Sequence, residues 1–258
     1  MIKKFIAPLA ASLLVFASCQ STKTEDTPTQ DTTNVASAEP AETGLNQLTE
    51  AQKAEGWKVL FDGQSTSGFR FYKNKENNSW EVVDGTLHAK PNGAGADKRA
   101  DLVTVDQYEN FELMFDWRVP AAGNSGVMFR VTEENDAPYL SGPEYQVIDD
   151  KGWPGDPLKQ TQLSGSNYDM HAAPADKPLN PQGEWNSSKI VVNGNHVEHW
   201  LNGAKMLEYE LNSDEWKKLK AGSKWKDAKG YGASPKGLIA FQDHGQEIWF
   251  RNIYIKTL

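Results

Sequence analysis

Cysteine is nearly absent from this chain of 258 residues, which contains a single one, Cys19. One thiol cannot close an internal disulfide, so no covalent cross-link within the chain adds to its stability. A long apolar run is also missing near the N-terminus. Residues 5–16 are apolar, but this stretch is shorter than the roughly 20 residues that a membrane-spanning helix needs.

Basic charge is scarce as well. Lys and Arg number 27 against 35 Asp and Glu, and the formal net charge is −8. Proteins that bind nucleic acid favour basic surfaces, so the composition predicts no nucleic-acid partner. The chain has no Gly-x-Gly-x-x-Gly run, no P-loop and no Gly-x-Ser-x-Gly elbow. We therefore expect neither a nicotinamide nor a flavin in this chain.

The N-terminus has the pattern of a bacterial lipoprotein signal peptide. Lys3 and Lys4 form a basic segment before the apolar stretch, and Phe-Ala-Ser-Cys at its end resembles a lipobox. We expect residues 1–18 to be the signal peptide and Cys19 to carry the lipid. The protein would then be anchored by lipid in the cell envelope, at the outer membrane, facing either the periplasm or the cell surface. An ordinary signal peptide with a chance cysteine is the alternative.

A polar linker follows the expected lipidation site. Residues 19–45 are rich in Thr, Ser, Asp, Glu, Ala and Pro and contain almost no large apolar side chain. Such a segment buries too little apolar surface to offset the entropy of ordering it, which predicts a flexible tether. Residues 46–258 are long enough for one all-β domain.

Strand patterns dominate that domain. Residues 80–89 alternate in polarity around Asp84-Gly85, which predicts a hairpin with a type I′ turn. Residues 111–118 alternate strongly as well, and further short strands are separated by Gly and Asn turns. This spacing favours an all-β sandwich or jelly roll. Helices are expected only after Thr49 and at residues 213–220.

Two segments rich in polar residues, residues 142–149 and 241–253, carry the candidate chemistry. Alternate residues of a strand share a face, so a sandwich would present polar groups on the non-core faces of several strands. The groups expected to meet there are Arg130, Glu144, Gln146, Gln242 and His244. An Arg near a carboxylate fixes its geometry, and a His can carry a proton near neutral pH. A cross-strand ion pair between Arg130 and Glu144, and a His244 that only shapes a turn, are the structural alternatives.

Additional candidates come from loops and strand ends. Asn124 opens a predicted strand and is a further polar candidate, although turn chemistry alone would also explain it. Aromatic faces suit the C–H faces of sugar rings, which makes Trp153, Tyr168 and Trp185 candidate platforms, with loop packing as the alternative. Asp149 is a candidate ligand of a hard divalent cation, although no tight metal-spacing motif is present.

Several blocks, in the same order, resemble the 3-keto-disaccharide hydrolase family, also described as 3-keto-glucoside 1,2-lyase or 3-keto-2-hydroxy-glucal hydratase domains. The resemblance starts at Gly-Trp-Lys-Val-Leu-Phe-Asp-Gly, residues 56–63, and runs to the C-terminus. One departure is visible: Thr-Ser-Gly-Phe, residues 66–69, stands where the family often has Leu-x-Gly-Trp. The other matching blocks are residues 80–87, 108–118, 123–130, 142–149, 183–186, 199–203 and 242–253.

The resemblance implies a concanavalin-A-like lectin/glucanase jelly roll and cleavage of glycosides whose 3-hydroxyl has been oxidised to a ketone. A ketone at C3 makes the C2 hydrogen acidic, so a base can remove that proton and the C1–O bond can break by elimination. Water can then add, which gives net hydrolysis. On this basis Glu144 or His244 would move protons and Arg130, with or without a divalent cation, would hold the enolate oxygen.

The same resemblance implies that Asn124, Gln146 and Gln242 orient sugar hydroxyls. The oxidation itself would require a separate glycoside 3-dehydrogenase acting upstream. Two other functions fit the sequence: a non-catalytic carbohydrate-binding module, and an ordinary glucanase-type glycosidase. The second expects a close carboxylate pair, but Gln146 follows Glu144 at the position where a second acid would stand.

Overall fold

A computed structural model describes residues 44–258, and these fold into a sandwich of two antiparallel β-sheets. The predicted all-β jelly-roll sandwich is confirmed. The expected signal peptide, lipidated Cys19 and nearly all of the tether lie outside the described residues. Within residues 44–258, no helix combines the length and the apolar character that a membrane span requires.

The larger sheet has eight strands. The shortest of them, β1 (Lys58–Val59), lies beside the main path of the sheet and pairs with the last strand of the chain, β13 (Ile248–Thr257). Along that path the order is β11 (Ala204–Glu210), β10 (His196–Leu201), β9 (Asn186–Asn193), β6 (Phe111–Arg118), β13 (Ile248–Thr257), β4 (Thr86–Ala89) and β3 (Trp80–Val83).

The smaller sheet has five strands and carries the candidate site. Its order is β2 (Phe69–Phe71), β5 (Leu102–Thr104), β12 (Leu238–Phe241), β7 (Asn124–Val131) and β8 (Glu144–Ile148). In the described part of the chain there are two α-helices, α1 (Glu50–Ala54) and α2 (Asp214–Gly222). Thr49 and Ser213 cap them by accepting hydrogen bonds from backbone N–H groups of the first turn.

The core lies between the two sheets and follows the period of the strands. On β6 the alternate residues Phe111, Leu113, Phe115 and Trp117 are almost completely buried, while the residues between them are partly exposed. The facing strands of the smaller sheet contribute Val127, Phe129, Tyr145, Val147, Ile239 and Phe241 to the same cluster. Burial of this apolar surface is the main stabilising contribution of the fold.

A bulge interrupts the alternation at the end of β7. Leu238 of β12 pairs with Val131 and Ala240 pairs with Met128, so β7 has one residue more than its partner in this interval. The backbone of Arg130 has φ +54°, which is uncommon for a residue other than glycine. As a result, Val131 shares the outer face of the sheet with Met128, and the strict alternation predicted for this strand is wrong at its end.

Candidate functional site

The outer face of the smaller sheet carries four of the polar side chains that the sequence singled out: Asn124, Glu144, Gln146 and Gln242. The register of β7 and β8 places Glu144 opposite Met128 and Gln146 opposite Gly126. Because Tyr145 and Val147 point into the core, Glu144 and Gln146 point away from it. Register and alternation put Asn124 on β7 and Gln242, just beyond β12, on this outer face as well.

A cavity of about 420 Å³ opens on this face. We call it the Glu144 cavity; its lining residues are Tyr139, Leu140, Glu144, Lys224, Trp225, Gln242 and His244. Glu144, Gln242 and Trp225 are buried and form its floor, whereas Tyr139, Lys224 and His244 are exposed at its rim. Its size and its few convergent polar groups are typical of small-molecule sites.

The Glu144 carboxyl is folded across Gly126. A Cβ atom at position 126 would lie 2.1 Å from Glu144 Oε1, so glycine is required there for the carboxyl to keep its place. Burial raises the pKa of Glu144 to about 7; Lys224 opposes this effect and Asp101 adds to it. Near neutral pH the group therefore exists in both protonation states, as a general base or acid requires.

Lys224 supplies a positive charge at the rim, and no motif in the sequence indicates this role. Its Nζ lies 4.0 Å from the ring centroid of Tyr168 and 4.3 Å from that of Trp225. The backbone N–H of Lys224 donates to Asp169 Oδ2 at 2.8 Å, which fixes this segment after α2. Desolvation lowers the pKa of Lys224, while the negative charges of Glu144 and Asp169 oppose that shift.

Gln242 and His244 reach the cavity on a turn formed by residues 242–245. The N–H of Gln242 donates to Gly126 O at 2.9 Å, and Ser125 Oγ donates to Gln242 O at 2.8 Å. His244 Nδ1 lies 2.6 Å from Gln246 Oε1, and its ring meets the ring of Trp153 edge-on at 6.1 Å. Trp153 and Tyr168 are therefore neighbours of cavity-lining residues.

Asn124 and Gln146 share the face but do not line the Glu144 cavity. Gln146 Oε1 accepts the backbone N–H of Val147 at 3.2 Å. Asn124 is 7 % exposed, and its Oδ1 has no hydrogen-bond partner among the described residues.

Arg130 is not at this site, and the prediction that it meets Glu144 is wrong. Its Nη2 donates to the backbone oxygen of Gly194, in the turn between β9 and β10 of the other sheet. The left-handed backbone at Arg130 is the cause, because it directs the side chain toward the side of the sheet opposite to Glu144. Desolvation lowers the pKa of Arg130, opposed by the charge of Glu109.

Trp185 also lies elsewhere, so its predicted place beside the substrate is wrong. Its ring packs 4.0 Å from the guanidinium carbon of Arg251 and 5.0 Å from that of Arg118. Arg118 is on β6, on the solvent side of the larger sheet, which is the opposite side of the sandwich from the Glu144 cavity. Trp185 therefore packs on cations of the other sheet.

The carboxylate of Asp149 is occupied by backbone hydrogen bonds. Its carboxylate oxygens accept backbone N–H groups of Gly152 at 2.9 Å, Ala122 at 3.1 Å and Lys151 at 3.2 Å. These bonds close the turn after β8, away from the Glu144 cavity, so the structure gives no support to Asp149 as a metal ligand. In residues 44–258 the side chains that could jointly hold a metal within 4.8 Å are His196, Glu198 and Glu208, on the larger sheet.

We expect Arg130→Met to leave turnover within about twofold of the wild type. The same change should lower the free energy of unfolding by about 1–2 kcal/mol, because the bond to Gly194 O is lost. Urea unfolding and kcat/KM measured on one preparation check both parts. A variant that is as stable as the wild type but turns over much more slowly would show that Arg130 takes part in the reaction.

Residues 56–256 match the family model described as the 3-keto-alpha-glucoside-1,2-lyase-like domain. The chain is also 34 % identical, over 231 residues, to a 3-keto-disaccharide hydrolase from Bacteroides thetaiotaomicron. That alignment covers 80 % of this chain and 79 % of the relative.

Solved structures share the fold, among them two that are also similar in sequence. Both are crystal structures of proteins from Parabacteroides distasonis that were named as candidate glycosyl hydrolases. The first is 38 % identical with a TM-score of 0.76 and covers 83 % of this chain and 100 % of its own. The second is 29 % identical with a TM-score of 0.61, and the match covers 78 % of this chain and 99 % of the second protein's chain.

Proposed function

The chain belongs to the 3-keto-disaccharide hydrolase family, and on that basis we propose that it cleaves glycosides whose C3 hydroxyl has been oxidised to a ketone. The proposed reaction removes the C2 proton and expels the substituent at C1. The observation that carries it is Glu144, a buried carboxyl at the floor of a cavity with a pKa raised to about 7. A base with that pKa is well matched to proton transfer at neutral pH.

Glu144 takes the C2 proton in this scheme. The electron pair of the C2–H bond moves into an enolate whose negative charge is on the C3 oxygen. When the enolate collapses, a C1=C2 double bond forms and the C1–O bond breaks, and the leaving oxygen receives a proton. Addition of water at C1 and return of a proton to C2 then complete a net hydrolysis.

The enolate needs a positive group, and we assign that role to Lys224. The ammonium group lines the same cavity as Glu144, and it takes the role that Arg130 was expected to have. A fixed cation stabilises negative charge most when it develops in the transition state. His244, as the imidazolium, would donate the proton on Nε2 to the leaving group, since Gln246 Oε1 lies against its Nδ1.

Substrate contacts follow from the rest of the cavity. Gln242 would bind a sugar hydroxyl, and the faces of Trp225 and Tyr139 would pack against the C–H faces of the rings. Trp153 and Tyr168 extend this aromatic surface through their contacts with His244 and Lys224.

A divalent cation fits the cavity poorly. Glu144, His244 and the amide oxygen of Gln242 are mixed donors of a kind that metals accept. Within the described residues, however, no three carboxylate or imidazole groups of this cavity lie within 4.8 Å of one another. The proposed steps therefore use protein side chains alone, and an assay with chelator tests whether a metal ion is needed.

An ordinary glycosidase is the weaker alternative. That chemistry uses two carboxyl groups on either side of the scissile bond. Of the described residues that line the cavity, Glu144 is the one carboxylate. A non-catalytic binding module would not need a buried acid with a pKa near 7, because an uncharged polar group binds hydroxyls without the cost of burying a carboxyl.

In the cell, the proposed function also requires a source of the ketone and a site where the protein is held. The ketone must be introduced by a separate oxidising enzyme, a glycoside 3-dehydrogenase, that acts before this one. We also propose that Cys19 carries a lipid and that residues 19–45 tether the domain in the cell envelope at the outer membrane. Labelling of the full chain with a radioactive fatty acid, lost in Cys19→Ser, tests the anchor.

The direct test is to incubate the purified protein with a 3-keto-glucoside and, separately, with its unoxidised parent, each with and without chelator. We expect release of the aglycone from the keto compound only, in both buffers. Release from the parent alone would reject the elimination. Loss of activity in chelator would mean that a metal ion, and not Lys224, stabilises the enolate.

The pH profile is expected to be bell-shaped. The base must be unprotonated, so kcat/KM should rise with pH through about 7 as Glu144 loses its proton. It should fall again at alkaline pH, because Lys224, whose pKa is lowered by desolvation, loses its positive charge there. Initial rates in overlapping buffers measure both limbs, and a profile that is flat across neutral pH would contradict the role of Glu144.

A further inference from the structure

An ion pair and hydrogen bonds to the buried side chain of Asp243 hold the turn that carries Gln242 and His244. The side chain of Asp243, between these two residues, has 0 % exposure. Its Oδ1 lies 2.9 Å from Arg99 Nη2, and Ser79 Oγ donates to its Oδ2. The N–H of Gly245 donates to Asp243 Oδ1 at 3.1 Å, which closes the turn.

Asp101 connects this turn to the sheet. It directly precedes β5, which pairs with β12, and its Oδ1 accepts the backbone N–H of Asp243 at 2.8 Å. The backbone oxygen of Asp101 accepts the N–H of Tyr72 at 2.9 Å, so both sides of the residue are fixed. Its carboxyl group therefore holds the backbone between two cavity-lining side chains without itself lining the cavity.

The carboxyl of Asp101 also acts on Glu144 through its charge. Burial raises the pKa of Asp101 to about 6, which leaves it mostly ionised above neutral pH. That negative charge disfavours ionisation of Glu144 and so raises the pKa of Glu144. The other titratable groups that act on these two carboxyls or feel their charge are Lys224, Asp243, Lys75, Tyr72, Tyr168 and Tyr231.

We propose that Asp101 is a positioning residue of the elimination, which holds the Gln242–His244 turn over the cavity floor through its hydrogen bond to the backbone of Asp243. This inference rests on the proposed function. It assigns two separable roles to one carboxyl group: the hydrogen bond to Asp243 N–H fixes geometry, and the charge sets the proton affinity of the base.

Two substitutions separate the roles. Asp101→Asn keeps an oxygen that can accept the Asp243 N–H but removes the charge, whereas Asp101→Ala removes both. In Asp101→Asn we expect the acidic limb of the kcat/KM profile to move to lower pH by up to about 1 unit, since a neighbouring like charge is lost. In Asp101→Ala we expect the same displacement together with a loss of about 10- to 100-fold in kcat, because the turn is no longer held.

Asp106→Asn is the matched control. Asp106 lies just after the same strand, is exposed, and is not among the groups that act on Glu144. Its removal changes the net charge equally but should not move the acidic limb. An unmoved limb in Asp101→Asn, or an equal displacement in Asp106→Asn, would overturn the inference, and so would full kcat in Asp101→Ala.

A measurement that does not depend on turnover separates this inference from the proposed function. The carboxyl carbon of Glu144, followed by NMR in 13C-labelled protein and assigned with Glu144→Gln, reports its titration directly. A lower midpoint in Asp101→Asn than in the wild type supports the role of the charge even if no keto-glycoside is cleaved. An equal midpoint overturns that role even if the wild type is active. The midpoint of Glu144 can be measured in any variant whose thermal unfolding transition matches that of the wild type.

Discussion

Glu144→Gln should lower kcat for release from a 3-keto-glycoside by about 10²- to 10⁴-fold, the usual contribution of a general base. The amide has nearly the shape of the carboxyl, so it can remain folded across Gly126, but it cannot accept the C2 proton. The buried position gives solvent bases little access to the substrate proton, which makes replacement by water ineffective. KM should change by less than about threefold, since the loss is confined to the transition state.

Glu134→Gln is the matched control for that change. Glu134 is an exposed acid just after β7, away from the cavity, and its substitution should leave kcat unaltered. Calorimetric titration of Glu144→Gln with the keto-glycoside would then show binding without turnover. Wild-type turnover in Glu144→Gln would remove Glu144 from the reaction, and binding without turnover in the wild type itself would support a binding module.

Lys224→Met is expected to lower kcat by about 10²- to 10³-fold, similar to the loss of one donor from an oxyanion site. Methionine keeps most of the length and the packing against Tyr168 and Trp225, so the change removes mainly the charge. The alkaline limb of the pH profile should lose the contribution of this lysine, because no lysine remains there to lose its proton. Lys224→Arg should recover part of the activity, because it restores a cation.

Lys226→Met provides the control two residues away, on the same segment. Lys226 is exposed and does not line the cavity, so its loss should affect neither kcat nor the pH profile. If Lys224→Met kept wild-type kcat and an unchanged alkaline limb, another group would have to stabilise the enolate. Steady-state kinetics of the three lysine variants over the same pH range decide between these outcomes.

Local patterns in the sequence are sufficient to predict much of the fold. The alternation at residues 111–118 is reproduced by β6, because one face of a strand in a sandwich is buried and the other is wet. At the hairpin of β3 and β4, Asp84 has φ +48° and Gly85 has φ +72°, as a type I′ turn demands. Both features depend on neighbours along the chain, which is why composition and spacing reveal them.

The parts of the site that escaped sequence analysis depend on contacts between distant residues. Simple alternation predicts that Arg130 shares a face with Glu144, but a single inserted residue in β7 turns its side chain to the other side of the sheet. Lys224 belongs to a lysine-rich segment that resembles any solvated surface, and only the packing of that segment on Tyr168 brings it to Glu144. Trp185 resembled a sugar platform but packs on cations of the larger sheet.

The most direct test of proton removal at C2 is a comparison of initial rates for a 3-keto-glycoside carrying hydrogen at C2 and the same compound carrying deuterium there, at saturating concentration. Abstraction by Glu144 predicts slower release from the deuterated compound and loss of the label to the solvent. Equal rates with the deuterium retained at C2 of the released sugar would contradict elimination and the function proposed for this cavity.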